Sequence, residues 1–121
     1  MKLKNILIVV DDIERSKNFY CRLFGLREVT DFGGNVILTE GLVLQERGLW
    51  DGLIGGASVR GGNDAELYFE ENDMDAFMKK LEEYPEPVRY LQKPVNNKWG
   101  KRTVRIADPD GHIIEIGESP A

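Results

Sequence analysis

From Lys4 to Val10 the residues are apolar and β-branched enough for a buried strand. Asp11 follows, three residues before Glu14, and this capping-box spacing predicts a helix start. Ile13, Phe19, Tyr20, Leu23 and Phe24 then recur at helical spacing, and Gly25 supplies the left-handed residue that commonly ends a helix. Gly33-Gly34 predicts a hairpin turn between a strand near Leu26 to Thr30 and another at Asn35 to Thr39. Glu40-Gly41 then turns the chain into a third strand at Leu42 to Glu46. The order of this first module is β-α-β-β-β.

The glycine-rich stretch 47–64 has little periodicity apart from Leu49, Trp50, Leu53 and Ile54, and reads as a connector with one apolar anchor. After it the pattern starts again. Glu66 to Glu70 alternates as a strand, Asn72 is placed to cap a helix with the apolar stripe Met74, Phe77, Met78 and Leu81, and Pro85 and Pro87 end that helix. Strands fit near Val88 to Gln92, Lys101 to Ala107 and His112 to Gly117, the last two joined by the turn Asp108-Pro109-Asp110-Gly111. The expected fold is α+β in a single domain 1–121, with modules 1–46 and 65–121 joined by connector 47–64, and a curved mixed sheet around a cavity.

A repeated module places equivalent residues in equivalent positions. Aligning Asp12 with Asp73 sets Asn5 over Glu66, and aligning Gly41 with Gly111 sets Gln45 over Glu115. Alternation assigns Ile6, Ile8, Leu42, Leu44, Leu67, Phe69, Ile114 and Ile116 to one face, toward the helices. Asn5, Gln45, Glu66 and Glu115 fall on the other, where they can converge. Arg105 has the parity opposite to Val104 and Ile106, so it is expected on the same face as Glu115.

Composition narrows the partners. Net charge is -5, which repels nucleic acid and anionic membrane. No apolar run approaches the ~18 residues that a membrane span needs. The N-terminus runs straight into the first strand without the long apolar stretch of a signal peptide, which favours the cytoplasm. Cys21 lies within an amphipathic helical pattern and reads as a packed thiol. The segment Val88 to Ala107 carries only basic charges, as a solvated edge strand or as an anion-attracting patch.

The segment Val10-Asp11-Asp12-Ile13-Glu14-Arg15-Ser16-Lys17-Asn18-Phe19-Tyr20 with Leu23-Phe24-Gly25-Leu26, together with Asp108-Pro109-Asp110-Gly111-His112-Ile113-Ile114-Glu115, resembles the vicinal oxygen chelate superfamily of glyoxalases, bleomycin-resistance proteins and extradiol dioxygenases. The resemblance covers nearly the whole chain. It implies paired modules whose inner face holds a divalent metal, often through histidine from each first strand and glutamate from each last strand. Asn5, Gln45, Glu66 and Glu115 stand at those four positions. Glu115 matches the family's glutamate, Glu66 replaces a histidine, and two neutral amides complete the set. Such a site suits manganese or magnesium better than zinc. His112, the only histidine, has the wrong parity to join it. The alternative to a metal is a guanidinium: an Arg105 pair with Glu66 or Glu115 would take its place. A third arrangement leaves the carboxylates solvated at a broad cavity mouth.

Three functions remain open. One is small-molecule binding of the bleomycin-resistance type, by a homodimer, with Tyr68, Trp50, Trp99 and Tyr90 as flat walls and Arg105 as a polar contact. The second is a metal-dependent lyase, isomerase or transferase, with Glu66 and Glu115 dividing the roles of ligand and catalytic base. The third is a regulatory or purely structural role.

Overall fold

The structure is a computed structural model that describes residues 1–119, so the last two positions of the second module, 120–121, lie outside the described residues. The chain divides into two units, the first spanning Met1–Arg60 and the second beginning at Gly61. The first contains β1 (Ile6–Val10), α1 (Ile13–Phe24), β2 (Glu28–Asp31), β3 (Asn35–Leu38), β4 (Leu42–Glu46) and α2 (Arg47–Ile54). Its four strands pair in the order β1-β4-β3-β2, with β1 parallel to β4 and the other pairs antiparallel. The second contains β5 (Glu66–Glu71), α3 (Met74–Glu83), β6 (Arg89–Asn96), β7 (Arg102–Ala107) and β8 (Ile113–Glu118), paired β5-β8-β7-β6 with β5 parallel to β8. The fold is α+β, and the two units repeat one topology.

Each helix begins where a side chain replaces a missing backbone partner, and both caps differ by one residue from the expected ones. Asp12, not Asp11, caps α1, its Oδ1 accepting from the Arg15 amide at 3.1 Å. Asp73, not Asn72, caps α3, its Oδ1 accepting from the Ala76 amide at 3.0 Å. Asp11 is drawn elsewhere, as described below. The corrected caps preserve the equivalence of Asp12 with Asp73. Gly25 ends α1 at φ 69°, a left-handed conformation that costs a glycine little.

The apolar stripes then meet the sheets. Phe19, Tyr20 and Leu23 of α1 are buried together with Ile8, Val10, Val36, Leu38, Leu42 and Leu44, and Met74, Phe77, Leu81, Val104, Ile106, Ile114 and Ile116 are buried in the second unit. Each large side chain of this kind contributes roughly 1.5–3 kcal/mol through burial. Ile6 departs from the expected alternation. It is 52% exposed at the free end of β1, where no strand residue precedes it.

The connector also differs. Its first half is α2, capped at its start by the Glu46 carboxylate on the Gly48 amide at 2.7 Å and at its end by Gly55 at φ 71°. Two internal glycines hide this helix in the sequence, because they weaken helical propensity. Tertiary anchors compensate. Arg47 is buried and donates to Asp11 Oδ1 at 2.6 Å and to Ser58 Oγ at 2.7 Å, Asp51 accepts from the Ser58 amide at 3.0 Å, and Arg60 pairs with the other oxygen of Asp11. β6 likewise runs to Asn96, beyond its expected end, with irregular pairing to β7.

Candidate functional site

The parallel and antiparallel ladders of the second sheet fix which side chains share its polar face. Tyr68 pairs with Glu115 across β5 and β8, and Arg105 pairs with Glu115 across β7 and β8. Glu66 lies two residues before Tyr68 on β5, so it shares the face of Tyr68 and Glu115. Arg105 reaches over the central strand β8, a span of two inter-strand spacings or about 9.6 Å between backbones. Its Nε donates to Glu66 Oε1 at 2.7 Å and its Nη2 to Glu115 Oε1 at 3.2 Å.

This triad is partly open to solvent, with side-chain exposures of 34% for Arg105, 32% for Glu66 and 21% for Glu115. Loss of solvent pushes the Glu115 carboxyl above its usual range, and a hydrogen bond with Glu66 adds to the shift, against the pull of Arg105. Arg105 is held even more firmly in its charged form, chiefly by its bond to Glu66. The arrangement therefore offers two carboxyls clamped by one fixed positive charge, with Glu115 the one biased toward holding a proton.

Tyr68 lies beside the triad, 54% exposed, and a Cβ built on Gly117 would collide with its hydroxyl. The ring thus lies over β8 at Gly117. Burial, followed by the charges of Glu70 and Glu115, pushes the phenol up. Gly117 escaped the sequence reading, although a glycine inside a strand is itself a signal of close approach.

The first unit does not reproduce this cluster. With β1 superposed on β5 through the helix caps, Leu7 is the counterpart of Tyr68, and Leu7 pairs with Val43. Ile37, which pairs with Val43, is then the counterpart of Arg105. The expected equivalence of Gln45 with Glu115 is therefore displaced by two residues, and Gln45 corresponds to Gly117. The cause is the turn before the last strand, which is longer in the second unit (108–112) than in the first (39–41).

Asn5 and Gln45 are accordingly not brought together. Asn5 precedes β1 and its Oδ1 lies 3.6 Å from the Cβ position of Gly41, whereas Gln45 pairs with Val9, four residues or about 13 Å further along. Gln45 is buried, and its Oε1 accepts from Asn35 Nδ2 at 2.7 Å, a partner the sequence reading missed. The tryptophans lie on elements other than the strands that carry the triad. Trp50 is half-buried in α2, and Trp99 is 73% exposed in the turn between β6 and β7, with the Lys98 ammonium 4.5 Å above its ring. His112 bonds through Nδ1 to Asp108 Oδ2 at 2.8 Å and stabilises the turn before β8.

This duplicated β-α-β-β-β topology, with a polar sheet face, defines the class. The chain belongs to the glyoxalase-like domain family, whose model matches residues 3–121. It is similar over 98% of its length to a protein of unknown function from Agrobacterium tumefaciens, at 35% identity and a TM-score of 0.83, covering 94% of that chain. A glyoxalase-related enzyme from Fulvimarina pelagi matches 98% of the chain at 24% identity and a TM-score of 0.82, over 88% of its own length. A glyoxalase/bleomycin resistance protein/dioxygenase from Nocardioides matches 98% at 18% identity and a TM-score of 0.76, over 83% of its own length. The latter two likenesses are of fold. No curated protein matches this chain.

Members of this family commonly hold a divalent metal, and the donors here do not fit one. Both carboxylates are engaged by the same guanidinium, the Gln45 oxygen accepts from Asn35, and His112 is bound to Asp108. Among the described residues no group of three or more His, Cys, Asp or Glu side chains could hold an ion. Nor is any described helix long and apolar enough to cross a membrane.

Proposed function

We propose that this glyoxalase-like protein binds a polar or cationic small molecule on the sheet face carrying Glu66, Tyr68, Arg105 and Glu115, with the guanidinium in the role that a metal ion has in related proteins. The observation that carries this reading is the engagement of both carboxylates by Arg105, at 2.7 and 3.2 Å. A divalent ion at the same oxygens would have to expel a cation already paired there, or stand beside it against like-charge repulsion. The two carboxyls outnumber the one guanidinium, which favours a cationic or hydrogen-bond-donating ligand, and Tyr68 adds a flat wall.

The alternative, a manganese- or magnesium-dependent lyase, isomerase or transferase, makes the opposite prediction about metals. Protein purified without chelator, assayed for metal content and titrated with manganese, magnesium, zinc and nickel by calorimetry, is expected to bind none of them tighter than millimolar. Stoichiometric micromolar binding that is lost in Glu66→Gln would overturn the metal-free reading. A thermal-shift screen with cationic and anionic small molecules identifies the ligand class, and Glu66→Gln with Glu115→Gln is expected to abolish the shift given by a cationic hit. A homodimer belongs to the same proposal, supported by Leu49, Leu53 and Ile54 along α2, which are 51%, 74% and 50% exposed. The net charge of -5 supports a partner that is neither nucleic acid nor anionic membrane, and the single packed thiol of Cys21 suits the reducing cytoplasm.

A further inference from the structure

The second unit has an open cleft of about 580 Å³ between the end of α3 and the start of β6. This is within the size range of small-molecule sites. Its lining includes Pro85, Pro87 and Pro94, which lack a backbone N–H and have few rotatable bonds, and the half-buried Tyr84 and Tyr90. These three prolines offer an anion no backbone donor. The carboxylates in the lining are Glu82 and Glu86, both exposed.

The cation in the lining, Lys93, shows what the cleft accepts. Its ammonium sits 4.4 Å from the centroid of the Tyr90 ring, so this aromatic face already holds a positive charge supplied by the chain itself. Burial, and after it the charge of the neighbouring Glu82, pushes the Tyr90 phenol up.

We propose that this cleft is a second binding site, independent of the triad, for a small organic ammonium ion bearing alkyl or aryl groups. The ligand's cation takes the ring face of Tyr90 that Lys93 occupies in its absence, its apolar groups lie against the prolines and Tyr84, and Glu82 and Glu86 balance its charge. Lysine makes the site self-capped: a bound ligand displaces the Lys93 ammonium from the ring.

The test is titration of the whole protein with benzyltrimethylammonium chloride, followed by the backbone amide signals of residues 84–94. Saturable shifts there are expected. Tyr90→Leu should weaken binding about tenfold and Tyr90→Phe, which keeps the ring, should retain it. Lys93→Ala should tighten binding, because the internal competitor is gone. Loss of binding in Lys93→Ala, stronger binding of benzoate than of the ammonium probe, or the absence of saturable shifts into the tens of millimolar would each overturn the proposal. Lys93 is exposed and outside the core, so its variant keeps the test valid even where Tyr90→Leu fails to fold. The Glu66→Gln variant is expected to give the same saturable shifts at residues 84–94, which separates this site from the triad.

Discussion

Gly117 has no side chain because the Tyr68 ring occupies the space above it. Gly117→Ala should therefore cost about 1 kcal/mol, the low end of overpacking because the exposed Tyr68 ring can swing away, measured by urea unfolding. Combining it with Tyr68→Ala should recover most of that loss, and strict additivity in the double-mutant cycle would refute the contact. Arg105 bridges the carboxyls of Glu66 and Glu115 and offsets their repulsion. Arg105→Gln should raise the Glu115 titration midpoint further, read from its side-chain carboxyl resonance, and cost roughly 1 kcal/mol at pH 7, as expected for a partly exposed ion pair. The parity of Arg105 and Glu115 was legible from alternation along the strands, since a period of two needs no tertiary knowledge. The reach to Glu66 was legible only as a possibility, because strand order decides which carboxylate lies within a guanidinium's span.

Among the elements, α2 shows what local pattern leaves out. Gly48 and Gly52 interrupt it, and its stability depends on Arg47, which joins it to Asp11 and Ser58. Arg47→Met keeps the apolar stem but leaves Asp11 with Arg60 alone. A loss of about 2 kcal/mol is expected, with faster proteolysis between residues 55 and 64, measured by limited digestion. Unchanged cleavage would show that the helix stands without this anchor. The same network explains the shifted cap of α1. Asp11 has the capping-box spacing, but two arginines distant in sequence claim its carboxylate, and Asp12 takes the helix. Strands and helices with clean periodicity were readable to within a few residues, whereas β6 ran longer because pairing with β7 extended it.

At the level of the whole molecule, acid stability should follow two opposed groups in the second unit. Arg102 lowers the Glu118 carboxyl from 4.5 to about 2, by side-chain and backbone hydrogen bonds. The contribution of Glu118 is present above its unfolded value and is lost as pH falls from about 4.5 through about 2. Glu115 works the other way. Its raised value means that stability is lost as pH rises from 4.5 to its folded midpoint. Arg102→Met should destabilise the protein at pH 6 and make little difference at pH 2, whereas Glu115→Gln should flatten the decline just above pH 4.5. Chemical unfolding across this range checks both, and parallel curves for wild type and variants would contradict the assignments.

The amino-acid sequence by itself determined the duplicated β-α-β-β-β order, the helix faces and the parity of the polar strand residues, because these depend on periods of 3.6 and 2 and on glycine at turns. Tertiary structure alone decided the register between parallel strands. That register moved Gln45 out of equivalence with Glu115, put Val43 and Ile37 where the second unit has Glu115 and Arg105, and gave both glutamates to one guanidinium. Parallel pairing joins strands separated by a helix and two further strands, so its offset depends on loop lengths and packing that no local pattern encodes.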